Sequence, residues 1–241
     1  MKLIVANFKM NKNSIEMSEY LQKVSNASFS NKIVLLPSLS NLFLNAIYSN
    51  ENIEYGVQNF FFKDEGNFTG EVNLTMLEGM NVKYALIGHQ ERRKQFKESN
   101  ATINKKILYA LEKGVTPILC IGESFGQTKN NLYKAHLKRQ LSLALKGVKI
   151  SDLEKIIIAY EPTYSIGAEN AADLLYVESN IMLIKDFINS KSAKTQINSK
   201  VLYGGSINLD NYKKYLDSDY IDGLLVGRAI LEADNLIEIG K

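Results

Sequence analysis

Eight short apolar runs, distributed along 241 residues, are the feature that most limits the folds open to this chain. Each run is rich in isoleucine, valine, leucine or tyrosine, the residue types of buried β-strands. Segments long enough for helices separate the runs, and this alternation predicts right-handed βαβ units around a parallel sheet. The predicted strands are Leu3 to Asn7, Ile33 to Leu36, Tyr55 to Gln58, Tyr84 to Ile87, Ile118 to Ile121, Ile156 to Tyr160, Val201 to Tyr203 and Leu224 to Val226.

The segments between the runs support the same interpretation. The clearest helix is predicted to begin after Asn170, a residue type suited to an N-cap, and it carries an apolar stripe at helical spacing. The stripe consists of Leu174, Val177, Ile181, Ile184 and Ile188. Eight strand–helix units in a chain of this length, without a linker, favour a closed (β/α)8 barrel over an open doubly wound sheet. We therefore predict one α/β domain over residues 1 to 241.

Composition argues against several classes of function. Charged residues make up 23% of the chain and the formal net charge is only +3, so no strongly basic surface for nucleic acid is expected. With one cysteine and two histidines, neither a disulfide nor a His/Cys zinc site is expected, and no metal or other cofactor is predicted. No run approaches membrane-spanning length, and Met1 leads directly into the first strand without a signal-like segment. We expect a cytoplasmic protein with no membrane or nucleic-acid partner.

The run that ends at Tyr160 is followed at once by a carboxylate, Glu161, and then by Pro162. Three consecutive isoleucines indicate a strand covered on both faces, and the proline ends it because its ring fixes φ and removes the backbone donor. In a (β/α)8 barrel the catalytic groups lie on the loops that follow the strands. Glu161 is therefore a candidate catalytic base, with a surface salt bridge as the alternative, and the segment from Pro162 to Gly167 is a candidate lid.

Other strand ends carry polar residues of matching chemistry. Asn7 and Lys9, two positions apart, are expected on one face, and the lysine can hold an anion. His89 precedes a predicted helix start, where backbone N–H groups disfavour an imidazolium. The glycine-containing loops Tyr203 to Ser206 and Val226 to Arg228 follow strands seven and eight, where such barrels often bind phosphate. Each feature alone has an ordinary structural explanation, but together they predict an active site for a phosphorylated substrate.

Three further features receive structural interpretations. The basic residues Arg92, Arg93 and Lys94 follow Glu91 and are predicted to form a solvated, salt-bridged helix face. Cys120 is predicted to pack as a small apolar strand residue. Glu123, which follows the same strand, is predicted to anchor a loop.

Six motifs, in this order, resemble those of the triosephosphate isomerase family. They are N-F-K-M-N from Asn7, G-H-Q-E-R-R from Gly88, C-I-G-E from Cys120, A-Y-E-P-T-Y-S-I-G from Ala159, Y-G-G-S from Tyr203 and D-G-L-L-V-G from Asp222. The resemblance extends from Asn7 to Gly227, nearly the whole chain. It implies a TIM barrel that interconverts D-glyceraldehyde 3-phosphate and dihydroxyacetone phosphate through an enediolate, the step used in glycolysis and gluconeogenesis.

The same resemblance implies roles for individual residues. Glu161 corresponds to the family's base, His89 to its electrophile and Lys9 to the cation that holds the substrate, with Asn7 beside it. A glutamate base that works with a neutral histidine is a known property of this family and does not follow from the residues alone. The predicted substrate-binding residues are Asn7, Lys9, Gly167, Ser206, Gly227 and Arg228.

The chain departs from the usual family pattern at several positions. In and after the lid, the departures are Thr163, Tyr164, Ser165, Ala168 and Glu169. Gln90 replaces the serine that usually follows the histidine. Arg228 replaces a second glycine, whose amide usually faces phosphate, and we expect it to keep an ordinary backbone conformation. Its guanidinium is expected to contact phosphate or to point outward to an acidic partner.

The segment from Gln58 to Glu71 contains three adjacent phenylalanines that need cover. In the family the corresponding loop inserts into a second subunit. The resemblance therefore implies a homodimer in which Thr69 reaches the partner's site near Asn7. A loop folded back on its own barrel is the alternative.

Two other functions remain compatible with a phosphate-binding barrel. A sugar-phosphate epimerase would share the glycine loops, but it would lack the combination of Lys9, His89 and Glu161 and would usually require a metal. A non-catalytic sugar-phosphate binder would keep the fold without turnover. An assay with glyceraldehyde 3-phosphate separates these possibilities.

Overall fold

The computed structural model of the protein describes residues 1–48, 50–130, 132–165 and 171–241. Eight strands form a closed barrel in sequence order, and each neighbouring pair, including β1 with β8, is parallel. The strands are β1 (Leu3–Asn7), β2 (Lys32–Leu36), β3 (Ile53–Val57), β4 (Val82–Ile87), β5 (Thr116–Ile121), β6 (Ile157–Tyr160), β7 (Val201–Tyr203) and β8 (Gly223–Val226). The predicted (β/α)8 barrel is confirmed.

Helical segments connect the strands on the outside of the barrel. The α-helices are α1 (Ser14–Ser25), α2 (Gln90–Gln95), α3 (Asn100–Glu112), α4 (Phe125–Lys129), α5 (Tyr133–Ala144), α6 (Leu174–Asn189), α7 (Tyr212–Leu216) and α8 (Ala233–Gly240). More tightly wound 3-10 helices occupy Leu39–Ala46, Thr75–Leu77, Ile150–Lys155 and Arg228–Leu231. Within the described residues, no helix is long and apolar enough to cross a membrane.

Local sequence sets where the helices begin. Asn13 caps α1 because its side chain accepts from the backbone N–H groups of Ile15 and Glu16, while the Glu16 carboxylate accepts from the N–H of Asn13. Helix α6 is capped by Asp173, whose carboxylate accepts from the N–H of Tyr176 at 3.2 Å. The cap is therefore not the predicted Asn170, which lies outside the described residues.

Two apolar clusters fill the fold. The first consists of strand residues that alternate along the chain and form the interior of the barrel, because successive side chains of a strand point to opposite faces. Its buried members are Leu3, Val5, Val34, Leu36, Leu86, Ile118, Cys120, Ile157, Ala159, Leu202 and Leu225. The second cluster joins the outward-facing strand residues to the helices, and in α6 it takes in the predicted positions Val177, Ile181, Ile184 and Ile188. Since all strands are parallel, their carboxyl ends meet at one end of this core.

Candidate active site

A cavity of about 640 Å³ opens at the carboxyl ends of the strands. Its lining includes most of the residues that the sequence singled out, which come from β1, β4, β6, β7 and β8 or the loops that follow them. These are Asn7, Lys9, His89, Glu161, Ser206, Gly227 and Arg228. The predicted Gly167 lies outside the described residues.

Glu161 extends from the end of β6 into the interior of this site. Its side chain is buried, and its Oε1 atom lies 3.4 Å from Nε2 of His89. The backbone N–H of Glu161 donates to the carbonyl of Ile121 at 2.8 Å, which fixes the residue against the end of β5. A buried carboxylate in contact with an imidazole contradicts the alternative of a surface salt bridge.

His89 is the N-cap of α2, as its position at a helix start predicted. Its Nδ1 atom accepts from the backbone N–H of Glu91 at 3.3 Å, so the neutral ring carries its proton on Nε2, the nitrogen that faces Glu161. Burial lowers the pKa of His89. The charge and hydrogen bond of Glu161, together with the charge of Glu91, raise it by more than burial lowers it, so the net direction is upward. This direction is opposite to the one expected from the helix start, because the carboxylate of Glu161 outweighs the effects that disfavour the charged ring.

Two glycines make room for Glu161. A Cβ atom on Gly122 would lie 1.8 Å from the carbonyl oxygen of Glu161, so the chain after β5 can pass the end of β6 only without a side chain. A Cβ on Gly204 would lie 3.2 Å from Oε1 of Glu161 and would press on the carboxylate. Sequence reasoning did not assign this role to either glycine, although both lie in motifs that it quoted.

Lys9 lies just beyond β1 in a left-handed conformation, with a φ of 52°. A non-glycine residue rarely adopts this conformation, and such strain is often found at functional sites. The N–H of Lys9 donates to Oδ1 of Asn7 at 3.1 Å, and Gln58 donates to the Lys9 carbonyl at 2.9 Å. Its ammonium nitrogen lies 2.5 Å from Oε1 of Glu91. Glu91 and Gln58 therefore hold the lysine, a role that sequence reasoning missed because both contacts come from distant parts of the chain.

A family model described as triosephosphate isomerase matches residues 2–241. The chain belongs to the triosephosphate isomerase family. The triosephosphate isomerase of Francisella tularensis subsp. mediasiatica is 35% identical over 241 aligned residues, which cover 99% of this chain and 95% of that protein. Those of Finegoldia magna and Aquifex aeolicus are each 36% identical, with 99% of this chain and 98% of each relative covered. The resemblance inferred from the motifs is confirmed.

Family membership fixes the class of reaction. The chain is an enzyme with the activity of a triose-phosphate isomerase, an aldose–ketose isomerase of glycolysis. This result leaves no support for the epimerase or the non-catalytic binder. Within the described residues, no group of three or more His, Cys, Asp or Glu side chains is placed to hold a metal ion.

Three of the residues predicted to bind phosphate, Ser206, Gly227 and Arg228, also line the cavity. Ser206 has a φ of 45°, and its hydroxyl donates to the carbonyl of Ser165 at 2.6 Å. Gly227 lies beside Lys9, since a Cβ on this glycine would be 3.4 Å from Cε of the lysine. Arg228 begins a 3-10 helix without a positive φ, as expected, and its exposed side chain lines the cavity. No ion pair within 4.0 Å joins Arg228 to a carboxylate of the described residues.

The structure shows that the prediction of a solvated helix face was wrong for Arg93. It does not belong to a solvated face, because its guanidinium donates to the carbonyls of Gly88 at 2.6 Å and Cys120 at 3.0 Å and to Oδ1 of Asn100 at 2.7 Å. Arg93 therefore ties the end of β4, which precedes His89, to β5. Glycine before the histidine is the one sequence signal that could have indicated such a close approach: a Cβ on Gly88 would lie 2.9 Å from Nη2 of Arg93.

The predictions for Cys120 and Glu123 agree with the structure. Cys120 is buried inside the barrel, where burial, reinforced by the charge of Glu161, raises the pKa of its thiol. Glu123 is fully buried, and its Oε1 atom accepts from the hydroxyls of Tyr160 at 3.0 Å and Tyr176 at 2.8 Å. Its carbonyl accepts from the N–H of Thr163 at 2.8 Å and from the Thr163 hydroxyl at 3.0 Å. Glu123 thus anchors the start of the predicted lid.

The phenylalanines of the Gln58 to Glu71 segment are only partly covered. Phe60 is buried in the core, whereas Phe61 and Phe62 are half-buried and stack with ring centroids 4.6 Å apart. The ring of Phe68 lies 4.5 Å from that of Phe61, and residues 63–71 are exposed. The base of the loop therefore packs on its own barrel, while its tip, which includes Thr69, extends from it.

Proposed function

We propose that Glu161, His89 and Lys9 carry out the interconversion of D-glyceraldehyde 3-phosphate and dihydroxyacetone phosphate in the cavity at the strand ends. The observation that carries this proposal is the 3.4 Å approach of Glu161 Oε1 to His89 Nε2 in a cavity that Lys9 also lines. A base, a neutral hydrogen-bond donor and a fixed cation are the three groups that such a reaction requires. The assignment of these roles is carried over from the family.

Glu161 is proposed as the base that moves a proton between adjacent carbons. One carboxylate can serve both carbons, because it takes the proton from one and returns it to the other. The side chain is buried, which removes competing water, and its Oε2 atom has no hydrogen-bond partner among the described residues.

His89 is proposed to polarise the substrate carbonyl. Because Nδ1 accepts from the N–H of Glu91, the proton of the neutral ring lies on Nε2 and points into the cavity. As the enediolate forms, this N–H can donate to the oxygen on which negative charge develops.

Lys9 is proposed to hold the anionic substrate, with Asn7 beside it. Its contacts with Glu91, Asn7 and Gln58 fix both the ammonium group and the backbone, so little reorganisation is needed on binding. Ser206, Gly227, Arg228 and Gly167 are proposed to bind the phosphate. The segment that begins at Pro162 is proposed as a lid, because an enediol phosphate eliminates phosphate readily unless the site holds it in place.

The decisive experiment is a coupled spectrophotometric assay with D-glyceraldehyde 3-phosphate. The wild-type chain is expected to turn over, and Glu161→Gln is expected to lower kcat by several orders of magnitude while the fold and inhibitor binding persist. His89→Gln is expected to lower kcat less, because a side-chain amide can still donate to the developing oxyanion. Near-normal turnover by the Glu161→Gln variant would disprove the assignment of the base.

We also propose that the protein is a homodimer through the Gln58 to Glu71 loop. The aromatic group of Phe61, Phe62 and Phe68 is incompletely covered by its own barrel, and Thr69 is exposed. Several other large apolar side chains are also exposed in the described chain and would be covered more favourably by a second subunit. They include Met10, Ile15, Phe43, Ile47 and Met76.

Sedimentation of a double variant tests the dimer. Phe61→Asp combined with Phe62→Asp is expected to yield monomers of low activity, because Thr69 would no longer support a neighbouring site. Met182→Asp, which places a charge at a partly exposed apolar position on α6, is the control and should remain dimeric. A wild-type monomer with full activity at micromolar concentration would rule out the shared site.

We further propose a cytoplasmic location. With a single cysteine the chain can form no internal disulfide, and disulfides are the usual mark of proteins from oxidising compartments. Cell fractionation followed by the isomerase assay tests this proposal, and recovery of the activity outside the soluble fraction would contradict it.

A further inference from the structure

A second, much smaller cavity lies beside Glu161. It has a volume of about 10 Å³ and is lined by Gln90, Arg93, Cys120, Glu161 and Thr163, among other residues. Gln90 and Glu161 also line the large cavity. Both residues therefore border the large cavity and the small one.

Each of these two side chains has one buried oxygen atom that lacks a hydrogen-bond partner in the part of the chain that the structure describes. Oε1 of Gln90 and Oε2 of Glu161 are both buried, and neither has a hydrogen-bond partner among the described residues. Leaving a buried acceptor unsatisfied is destabilising, because the atom has lost its contacts with water and gained none with the protein. A carboxamide can present a donor instead of an acceptor, because a half-turn about its last torsion exchanges the oxygen for the NH2 group.

Arg93, another donor at the small cavity, already makes three hydrogen bonds. The three side-chain nitrogens of Arg93 donate to the carbonyl of Gly88, to Asn100 and to the carbonyl of Cys120. The Cys120 thiol is only a weak donor. A volume of about 10 Å³ is at the lower limit for holding a water molecule. Gln90 differs from the other side-chain donors there because its own amide oxygen is buried without a partner in the described chain, so exchanging its oxygen and nitrogen would offer a donor to Oε2 of Glu161.

We propose that the side-chain amide of Gln90 donates to Oε2 of Glu161 and holds this carboxylate in place beside His89. Gln90 is then a positioning residue: it acts through Glu161 and stabilises the ionised carboxylate. This inference rests on the proposed role of Glu161 as the base. Among the described residues, the other titratable or charged groups near the carboxylate are His89 at the end of β4, Cys120 on β5 and Arg93 on α2.

The test compares Gln90→Met with a matched control on the same helix. Methionine preserves the length of the side chain but cannot donate. Gln95→Met makes the same change at an exposed position at the end of α2. We measure kcat and KM for D-glyceraldehyde 3-phosphate as a function of pH, and circular dichroism verifies that each variant is folded.

For Gln90→Met we expect kcat to fall about tenfold with little change in KM, since the lost contact to a charged group is of the order that produces such a ratio. Without the donor, the carboxylate holds its proton more tightly. The acid side of the kcat/KM profile should therefore move to higher pH, by about one unit. Gln95→Met should match the wild type in both measurements.

A second variant keeps the test decisive if methionine disturbs the packing. Gln90→Glu has nearly the same shape as the wild-type residue but places a second carboxylate beside Glu161, so the acid side should move further upward than in Gln90→Met. Unchanged kcat and an unchanged acid side in folded Gln90→Met and Gln90→Glu would overturn the proposal. Failure of the base assignment would look different, because Glu161→Gln itself would then remain active.

Discussion

The interior of the barrel and the wall of the cavity at its carboxyl end are built from the same strands, yet they differ in how completely their atoms are satisfied. The interior cluster is a closed set of buried apolar side chains. The cavity wall instead buries Asn7, His89 and Glu161, and it leaves oxygens of Gln90 and Glu161 without a described partner. Packing in the interior provides stability, whereas the wall retains polar groups that the protein itself does not fully use. Polar groups of this kind lower the stability of the fold, but they remain available to bind a substrate.

The largest expected effect comes from removing the cation of the wall. Lys9→Met should abolish detectable turnover, because the anionic substrate and the developing enediolate would lose their fixed positive charge while Glu91 kept its negative charge. Neither lower nor higher pH should restore the rate. Steady-state assays across pH would measure this, and normal substrate binding with normal turnover would place anion capture elsewhere.

The interior should respond in the opposite way. Ile118→Ala removes most of a fully buried side chain from the middle of the barrel and should lower the free energy of unfolding by about 2 to 5 kcal/mol. The activity of each folded molecule should change little. Leu143→Ala, at a partly exposed position on α5, is the control and should lower the free energy of unfolding much less. Urea unfolding monitored by circular dichroism measures both free energies. An equal loss of unfolding free energy in the two variants would contradict the expected difference between the interior and the surface.

The charge of Glu161 should be visible at His89 without any turnover. In the wild type this carboxylate raises the pKa of His89 against the effect of burial. In Glu161→Gln the carboxylate is gone, so the His89 pKa should fall and the ring should stay neutral to lower pH. The chain has only two histidines, which makes an NMR titration simple to assign.

His136 serves as the internal reference for that titration. Burial lowers its pKa, and its Nδ1 atom contacts Gln127 at 2.7 Å, far from the substituted residue in the sequence. Its titration should be the same in both proteins. A His89 curve that does not move when Glu161 is replaced would show that the helix start, rather than the carboxylate, controls this imidazole.

The fold could be predicted from sequence largely because its signals are local. Each of the eight predicted apolar runs coincides with an observed strand, and β1 and β7 have the predicted bounds. The errors lie at the ends: β5 begins at Thr116, so Pro117 lies within the strand, and β3 begins at Ile53 although the run was read from Tyr55. Strand pairing overrides local propensity at such positions. The N-cap of α6 was misplaced because Asn170 and Asp173 are both good caps, and spacing alone does not choose between them.

The site was less accessible to sequence reasoning because its contacts connect distant segments. Residue types at strand ends indicated Lys9, His89 and Glu161. They did not indicate that Glu91 pairs with Lys9, since these residues are 82 positions apart. Arg93 was misread for the same reason: a basic residue on a short helix resembles a solvated face until the carbonyls of the neighbouring strands are in place. Such partners emerge only once the barrel has closed.

The smallest expected effect tests whether Arg228 belongs to the cavity wall or to the solvent. Its side chain lines the cavity, is exposed, and has no carboxylate within 4.0 Å among the described residues, so the acidic partner of the outward alternative is not found in this part of the chain. We therefore expect Arg228→Gly to weaken binding of 2-phosphoglycolate by about 1 to 3 kcal/mol, with a smaller dependence on salt, because a charge-assisted contact to phosphate is lost. Arg139→Ala removes one positive charge from the exposed face of α5 and controls for net charge alone. Titration of all three proteins at two salt concentrations separates the possibilities: equal affinities would assign Arg228 to the solvent, and an equal loss in Arg139→Ala would show a general effect of charge.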